Sequence, residues 1–316
     1  MRRRQFAALL IVFSASAVAQ SYGSRPLRMI IPFPAGGGSD AIGRIIAPRL
    51  GDRFGQQVVV DNRAGAGGSI GTEAAVRASP DGHTLVLAST SEIAINPALY
   101  KLSYDTLRDL TAVAMVASAA MVVIVAPTSP AGSVKDLIAL AKAKSINVAS
   151  AGNGTITHLS GELFRSMTHL NWTHVPYKGA PPALTDLAGG RVEAMFSSLP
   201  AAMPIIKSNR VKAIAVSTRS RVASLPDVPT VIESGVPGYD VVYWYGIFVP
   251  AATPASAVAR LAQETERSLK QNDVVTNLAN QGASPGEMTQ PQFAQFVRAE
   301  YQRWTQVVKT SGAKAD

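Results

Sequence analysis

The 316-residue chain has no cysteine. That excludes a disulfide framework, a thiolate metal site and a cysteine nucleophile. Histidine is scarce, with only His83, His158, His169 and His174. No H-E-x-x-H occurs. The pair His169 and His174 straddles a predicted helix end and a strand, which is poor metal geometry. Charged residues are 16% of the chain and aromatics 6%. Lys and Arg are scattered, with no basic stripe interleaved by aromatics, so nucleic-acid binding is not expected. Long apolar runs are also lacking. The nearest is "TAVAMVASAAMVVIVAP", Thr111 to Pro127. It is Ala-rich, holds Thr and Ser, and is marginal for a membrane span. We read it as two buried strands with a break near Ser118.

What is present is apolar: 47% of residues. A chain of this size and composition can bury a full core, as one large domain or two lobes. The start, "MRRRQFAALLIVFSASAVAQ", has an Arg-rich head, a short apolar run and a small-x-small site. It reads as a secretory signal, residues 1–19, with cleavage expected after Ala19 and export of the mature chain. Removing it lowers the net charge from +9 to +6 by loss of three arginines. A basic exported protein suits anionic small ligands or a negative membrane surface.

From Arg28 onward, strand-like and helix-like stretches alternate. "RMIIPF", "QQVVVDN" and "HTLVLAS" read as strands. "SDAIGRIIAPRLGDRF" and "GSIGTEAAVRAS" read as helices, with Pro48 expected to distort the first. β-branched runs separated by helices imply parallel pairing with both faces covered. The alternation restarts after "MVVIVAP", and a short helix is expected near Val231. "MVVIVAP" and "GIFVPAA" look alike and read as crossover strands. The fold class is therefore α/β, with two lobes joined by two crossover strands and a ligand cleft between them. Residues 20–125 plus 247–316 would form lobe 1, and 126–246 lobe 2. Such sheets bind ligands beyond the carboxyl ends of their strands.

Three motifs compete for that cleft. Gly36, Gly38 and Ala41 have the spacing of a dinucleotide turn. However, Pro32, Phe33, Pro34 and Ala35 intervene after the strand, and an exported protein meets no nicotinamide pool. No cofactor is expected. The same loop suits a small anion: Gly36, Gly37, Gly38, Ser39 and Asp40 offer backbone N–H groups at a helix start. Gly67-x-Ser69-x-Gly71 has nucleophile-elbow spacing, but its serine lies about six positions beyond the strand rather than on a tight turn. "ASAGNGTITH" is a second glycine-rich strand-to-helix turn. There His158 either bonds its own helix start or contacts an anionic ligand. Ser89, Thr90 and Ser91 either donate to a carboxylate or cap. Trp244 and Tyr245 read as hinge packing rather than ligand stacking.

Taken in order, "IIPFPAGGGSDAIGR", "PDGHTLVLAS", "INPALY", "VPYKG", "LPDVPTVIESGVPGY" and "PAATP" closely resemble the Bug-type extracytoplasmic receptors of tripartite tricarboxylate transporters, the TctC-like family. The resemblance spans essentially the whole mature chain. It implies a monomeric periplasmic solute receptor for a small organic carboxylate, with membrane permease subunits as partners and no catalysis. Carried onto this chain, it implicates Phe33, Ala35, Gly38, Ser39 and Asp40 at the first turn. It further implicates Ser89, Thr90 and Ser91, and then Ser150, Gly152, Thr155, His158 and Ser197. Many relatives carry an Asp where Ser197 and Ser198 stand. Two other readings remain beside the transport receptor: an exported serine hydrolase using Ser69, and a ligand sensor without a transporter.

Overall fold

A computed structural model describes residues 25–311 and 313. The expected signal segment lies outside them. The first third of the chain forms β1 (Leu27–Ile31), α1 (Gly38–Phe54), β2 (Val58–Asn62), α2 (Ser69–Val76), β3 (Thr84–Ser89) and α3 (Asn96–Leu99). A π-helical turn, Ser91–Ile95, sits between β3 and α3. The middle forms β4 (Leu110–Val125), α4 (Val134–Ala143), β5 (Asn147–Ser150), α5 (Ile156–Thr168), β6 (Thr173–Pro176), α6 (Ala180–Ala188), β7 (Ala194–Ser198), α7 (Leu199–Lys207) and β8 (Lys212–Val216). The rest forms β9 (Val242–Pro250), α8 (Ala255–Leu269), α9 (Asn272–Asn280), β10 (Ala283–Pro285) and α10 (Gln290–Ser311).

The strands follow the order β2-β1-β3-β9-β4-β7-β5-β6, with β8 and β10 also on β4. β1 pairs in parallel with β2 and β3, and β5 pairs in parallel with β6 and β7. The two parallel halves are joined through antiparallel β9 and β4. Parallel strands with helices on their faces have buried cores on both sides, which explains the near-continuous Ile, Val and Leu of β1 and β3.

The break expected near Ser118 is absent: β4 is one strand of 16 residues. Its first part, to Ala120, pairs with β9, and from Met121 it pairs with β7. Register shifts at Ala112/Ala114 and Met115/Ala117 mark irregularities of the bulge type. Bulges bend and twist a strand without ending it. The small residues therefore mark a change of partner rather than a turn. Likewise, no helix forms at Val231. The Thr230 and Glu233 side chains and backbones cap each other reciprocally, but the chain leaves after one turn. Pro48 lies inside α1 without ending it.

Trp244 is fully buried against Phe293 and Phe296 of α10. Its Nε1 and that of Trp304 both donate to Glu300 Oε2, at 3.0 and 3.1 Å. This ties α10 to β9 across the middle of the sheet. No helix among the described residues is long and apolar enough to cross a membrane.

Candidate functional site

Where the two parallel halves meet, four helix starts face one crevice of about 30 Å³. α1 contributes Gly37, Gly38 and Ser39, and α5 contributes Thr155, Ile156 and Thr157. α6 contributes its first residue, Ala180, and α7 its N-cap, Ser198. Phe33, Pro34, Ala151 and Tyr243 complete the lining, and none of these residues carries a formal charge. The first N–H groups of a helix lack intrahelical acceptors and carry its positive dipole end. Here only α1 presents an unbroken run of them, since Pro181, Pro182 and Pro200 lack an N–H and Ile156 N donates to Ser91 Oγ. The four positive dipole ends together still make a site for an anion without a lysine or arginine.

The first wall is a turn held open. Gly36 has φ +79°, the left-handed region that favours glycine, and Gly37 caps α1 without a side-chain hydrogen bond. The turn is braced from outside by Asp40. Its carboxylate accepts from Gly36 N and Arg44 Nε, both at 2.9 Å, and from Asn62 Nδ2 at 3.0 Å. Burial alone would raise the Asp40 pKa, but these donors outweigh it and hold it below the usual carboxylate value. Asn62 Nδ2 also donates to Phe33 O at 3.0 Å. Ala35 and Gly36 are exposed at the tip. Gly38 lies so close to the opposite wall that a Cβ there would sit 2.6 Å from Ser198 Oγ and 2.9 Å from Tyr245 Oη.

The second wall is satisfied within itself. Thr155 N-caps α5 and donates to Gly152 O at 2.6 Å, and Thr157 Oγ1 accepts from Ala151 N at 2.8 Å. Gly152 has φ +128°. Ser150 Oγ lies 2.7 Å from His174 Nε2. The His174 ring stacks on His158, with centroids 4.0 Å apart. Burial, then the His174 neighbour, then Arg165, push the His158 imidazole down to about 3. His158 is thus a neutral packing partner whose Nδ1 accepts from Gly154 N at 3.4 Å.

Behind the crevice lies the turn after β3. Ser89, Thr90 and Ser91 are fully buried. Ser91 Oγ accepts from Ile156 N at 2.9 Å, joining this turn to α5. Thr90 Oγ1 accepts from Trp244 N at 3.3 Å. Ser89 Oγ donates to Glu92 Oε2 and lies 2.9 Å from Tyr243 Oη. Ser69, the candidate nucleophile, accepts from Asn96 Nδ2 at 3.1 Å.

The expected residues Phe33, Gly37, Gly38, Ser39 and Thr155 thus line the crevice. Asp40, Gly152, His158, Ser150, Ser89, Thr90 and Ser91 stand behind it as supports. Ser197 is absent from the lining; its hydroxyl donates to Ser198 O at 3.3 Å, and Ser198 takes the lining position. Sequence reasoning passed over Tyr243 and Ala180, and it set Ser198 and Thr157 beside the expected site without assigning them to it. Ser198 was legible in principle, because neighbouring strand residues face opposite ways. Tyr243 stands two residues before Tyr245 on the same strand, so it shares that residue's face.

The model of the "Tripartite tricarboxylate transporter family receptor" matches residues 42–313. The chain belongs to this family. Protein BugT of Bordetella pertussis is 39% identical over 95% of this chain and 94% of its own length. Among solved structures, that of Rhodopseudomonas palustris Rpa4515 with adipate superposes with TM-score 0.90 at 34% identity, covering 92% of this chain and 98% of that one. MatC from the same organism, with bound malate, gives 0.86 at 32%, covering 90% and 99%. The periplasmic binding protein BugD gives 0.88 at 31%, covering 93% and 99%. The family is one of solute-binding receptors, and these relatives share the two-lobed α/β architecture.

Proposed function

We propose that this protein is a periplasmic receptor that binds a small organic carboxylate and delivers it to the permease subunits of a tripartite tricarboxylate transporter, without catalysing a reaction. The observation that carries this reading is the convergence of four helix N-termini on an uncharged crevice. The relatives with adipate and malate support a dicarboxylate. In this reading the first-turn N–H groups of α1 grip one carboxylate. The Tyr245 hydroxyl, buried without a hydrogen-bond partner among the described residues, donates to the same ligand. Ser39, Ser198 and Tyr243 complete the contacts, while Thr155, Ser197, Asp40 and His158 hold the frame.

A crevice of about 30 Å³ is far smaller than the several hundred that enclose a drug-sized ligand. Ligand entry therefore requires the walls to separate. We place the hinge on β4 and β9, with residues 20–125 and 247–316 as one lobe and 126–246 as the other. Closure re-forms contacts such as Ser91 to Ile156, and ligand biases it by touching both walls. The protein acts as a monomer.

The test is thermal unfolding with adipate, malate, tricarboxylates, amino acids and sugars. A ligand at about 100 times its Kd adds roughly 2.7 kcal/mol of stability. Stabilisation by at least one carboxylate is expected. If only sugars or cations raise the melting temperature, the proposal fails.

A further inference from the structure

Glu92 is fully buried, and the function just described does not use it. Its Oε2 accepts from Ser89 N at 3.2 Å and from the Ser89 hydroxyl. Its Oε1 has no hydrogen-bond partner among the described residues. Among the described residues no cation offsets it. The titratable groups that face it are Tyr104, from the segment before β4, and Tyr243 and Tyr245 of β9. α10, packed on the same turn, brings Glu300, which is held by Trp244, Trp304 and Arg303. The start of α5 brings His158, already neutral. The turn 66–68 brings no titratable residue.

Ser89 is the first link from this acid to the crevice. Its Oγ lies 2.9 Å from Tyr243 Oη, and Tyr243 lines the crevice beside Ser39. The chain Glu92–Ser89–Tyr243 has two states. With Glu92 ionised, Ser89 O–H donates to Glu92, Tyr243 O–H donates to Ser89, and only a phenol lone pair faces the ligand. With a proton on Glu92 Oε2, that O–H donates to Ser89 Oγ. Ser89 O–H then donates to Tyr243 Oη, and the phenol O–H is free to donate into the crevice. An anion favours the second state.

We propose that carboxylate binding is coupled to uptake of one proton on Glu92, with the Ser89 and Tyr243 hydroxyls transmitting the change to the ligand. One proton leaves solvent and ends on Glu92 Oε2. The only bond made is that O–H, and both hydroxyls keep their protons and rotate. Glu92 is a positioning residue for Tyr243, and the receptor carries an anion together with a proton. Burial, opposed only by the Ser89 and backbone hydrogen bonds, raises the Glu92 carboxyl to about 7, so the step falls in the range where a periplasmic protein works. The inference rests on the carboxylate-receptor reading.

The experiment is titration calorimetry of the mature protein with adipate and with malate at about pH 8, in two buffers of different ionisation heat. Both acids are fully ionised there, so any proton taken up lands on the protein. About one proton per ligand is expected, with Kd weakening up to tenfold per pH unit above about 7. Glu92→Gln keeps a donor toward Ser89 and is expected to bind with no proton uptake and no pH dependence over that range. Tyr243→Phe is expected to bind more weakly and likewise without uptake. Binding by the unmodified protein without proton uptake, or uptake that persists in Glu92→Gln, overturns the coupling and leaves the receptor reading intact. If no carboxylate binds, both are overturned.

Discussion

The two glycine turns that wall the crevice look alike in sequence but differ in how their polar groups are used. The turn at Gly36–Ser39 is braced from behind by Asp40 and Asn62, and its helix start is left without a side-chain cap. The turn at Ser150–Thr157 spends its polar groups on itself: Thr155 caps α5, Thr157 holds Ala151, and Ser150 holds His174. A glycine turn at a helix start is therefore not by itself a ligand site. What separates the two is whether the helix's first N–H groups already have acceptors.

The sharpest way to break this contrast is Gly38→Val. Its backbone tolerates a side chain, but the added atoms collide with Ser198 and Tyr245. We expect at least about a 100-fold loss of carboxylate affinity by calorimetry, roughly 2.7 kcal/mol. Unchanged affinity would remove the first turn from the site.

A smaller effect separates the buried titratable groups behind the two walls. Glu92 is raised from 4.5 to about 7, so the native state binds its proton more tightly and this contribution to stability is lost as pH rises from 4.5 to 7. His158 is lowered from 6.5 to about 3, so the unfolded state takes the proton first and stability is lost as pH falls below 6.5. Between about pH 7 and 5 the two nearly cancel, each being worth about 2 kcal/mol. Urea unfolding of the ligand-free protein should thus change little over that interval. Glu92→Gln should uncover a loss of about 2 kcal/mol on acidification, and His158→Asn a gain of similar size. The same slope in both variants would refute the assignment.

The mildest test is Thr155→Val, which removes the α5 cap. It should cost about 1 kcal/mol in unfolding free energy. Affinity should change less than about fivefold, under 1 kcal/mol. A collapse of affinity with unchanged stability would show that Thr155 serves the ligand first and the helix second.

Much of the architecture was legible in the chain. Strand and helix alternate from Leu27 to Val216, and the parallel pairing of β1 with β2 and β3 follows from apolar runs separated by helices. The first glycine turn announced itself because prolines and three glycines interrupt a strong β-to-helix pattern. β4 was misjudged because alanine and serine look like a break when pairing partners are unknown. Ser198 was displaced by its neighbour Ser197, since a strand's periodicity says which residues share a face but not which face looks inward. Glu92 stood in plain view in "STSEIAINPALY" as a lone acid in an apolar stretch, yet nothing local marked it as buried.

The sequence by itself determined most of the elements, the family and the helix start with bare glycine donors, because these follow from backbone geometry and local hydrophobic pattern. The tertiary structure alone decided that four helix starts meet at one point and that Glu92 is dry. It also decided that Tyr243, 151 positions along the chain from Glu92, lies one hydroxyl away from it. Burial and convergence are products of long-range packing, and although β4 and β9 look alike in sequence, nothing within either strand gives the register in which they pair.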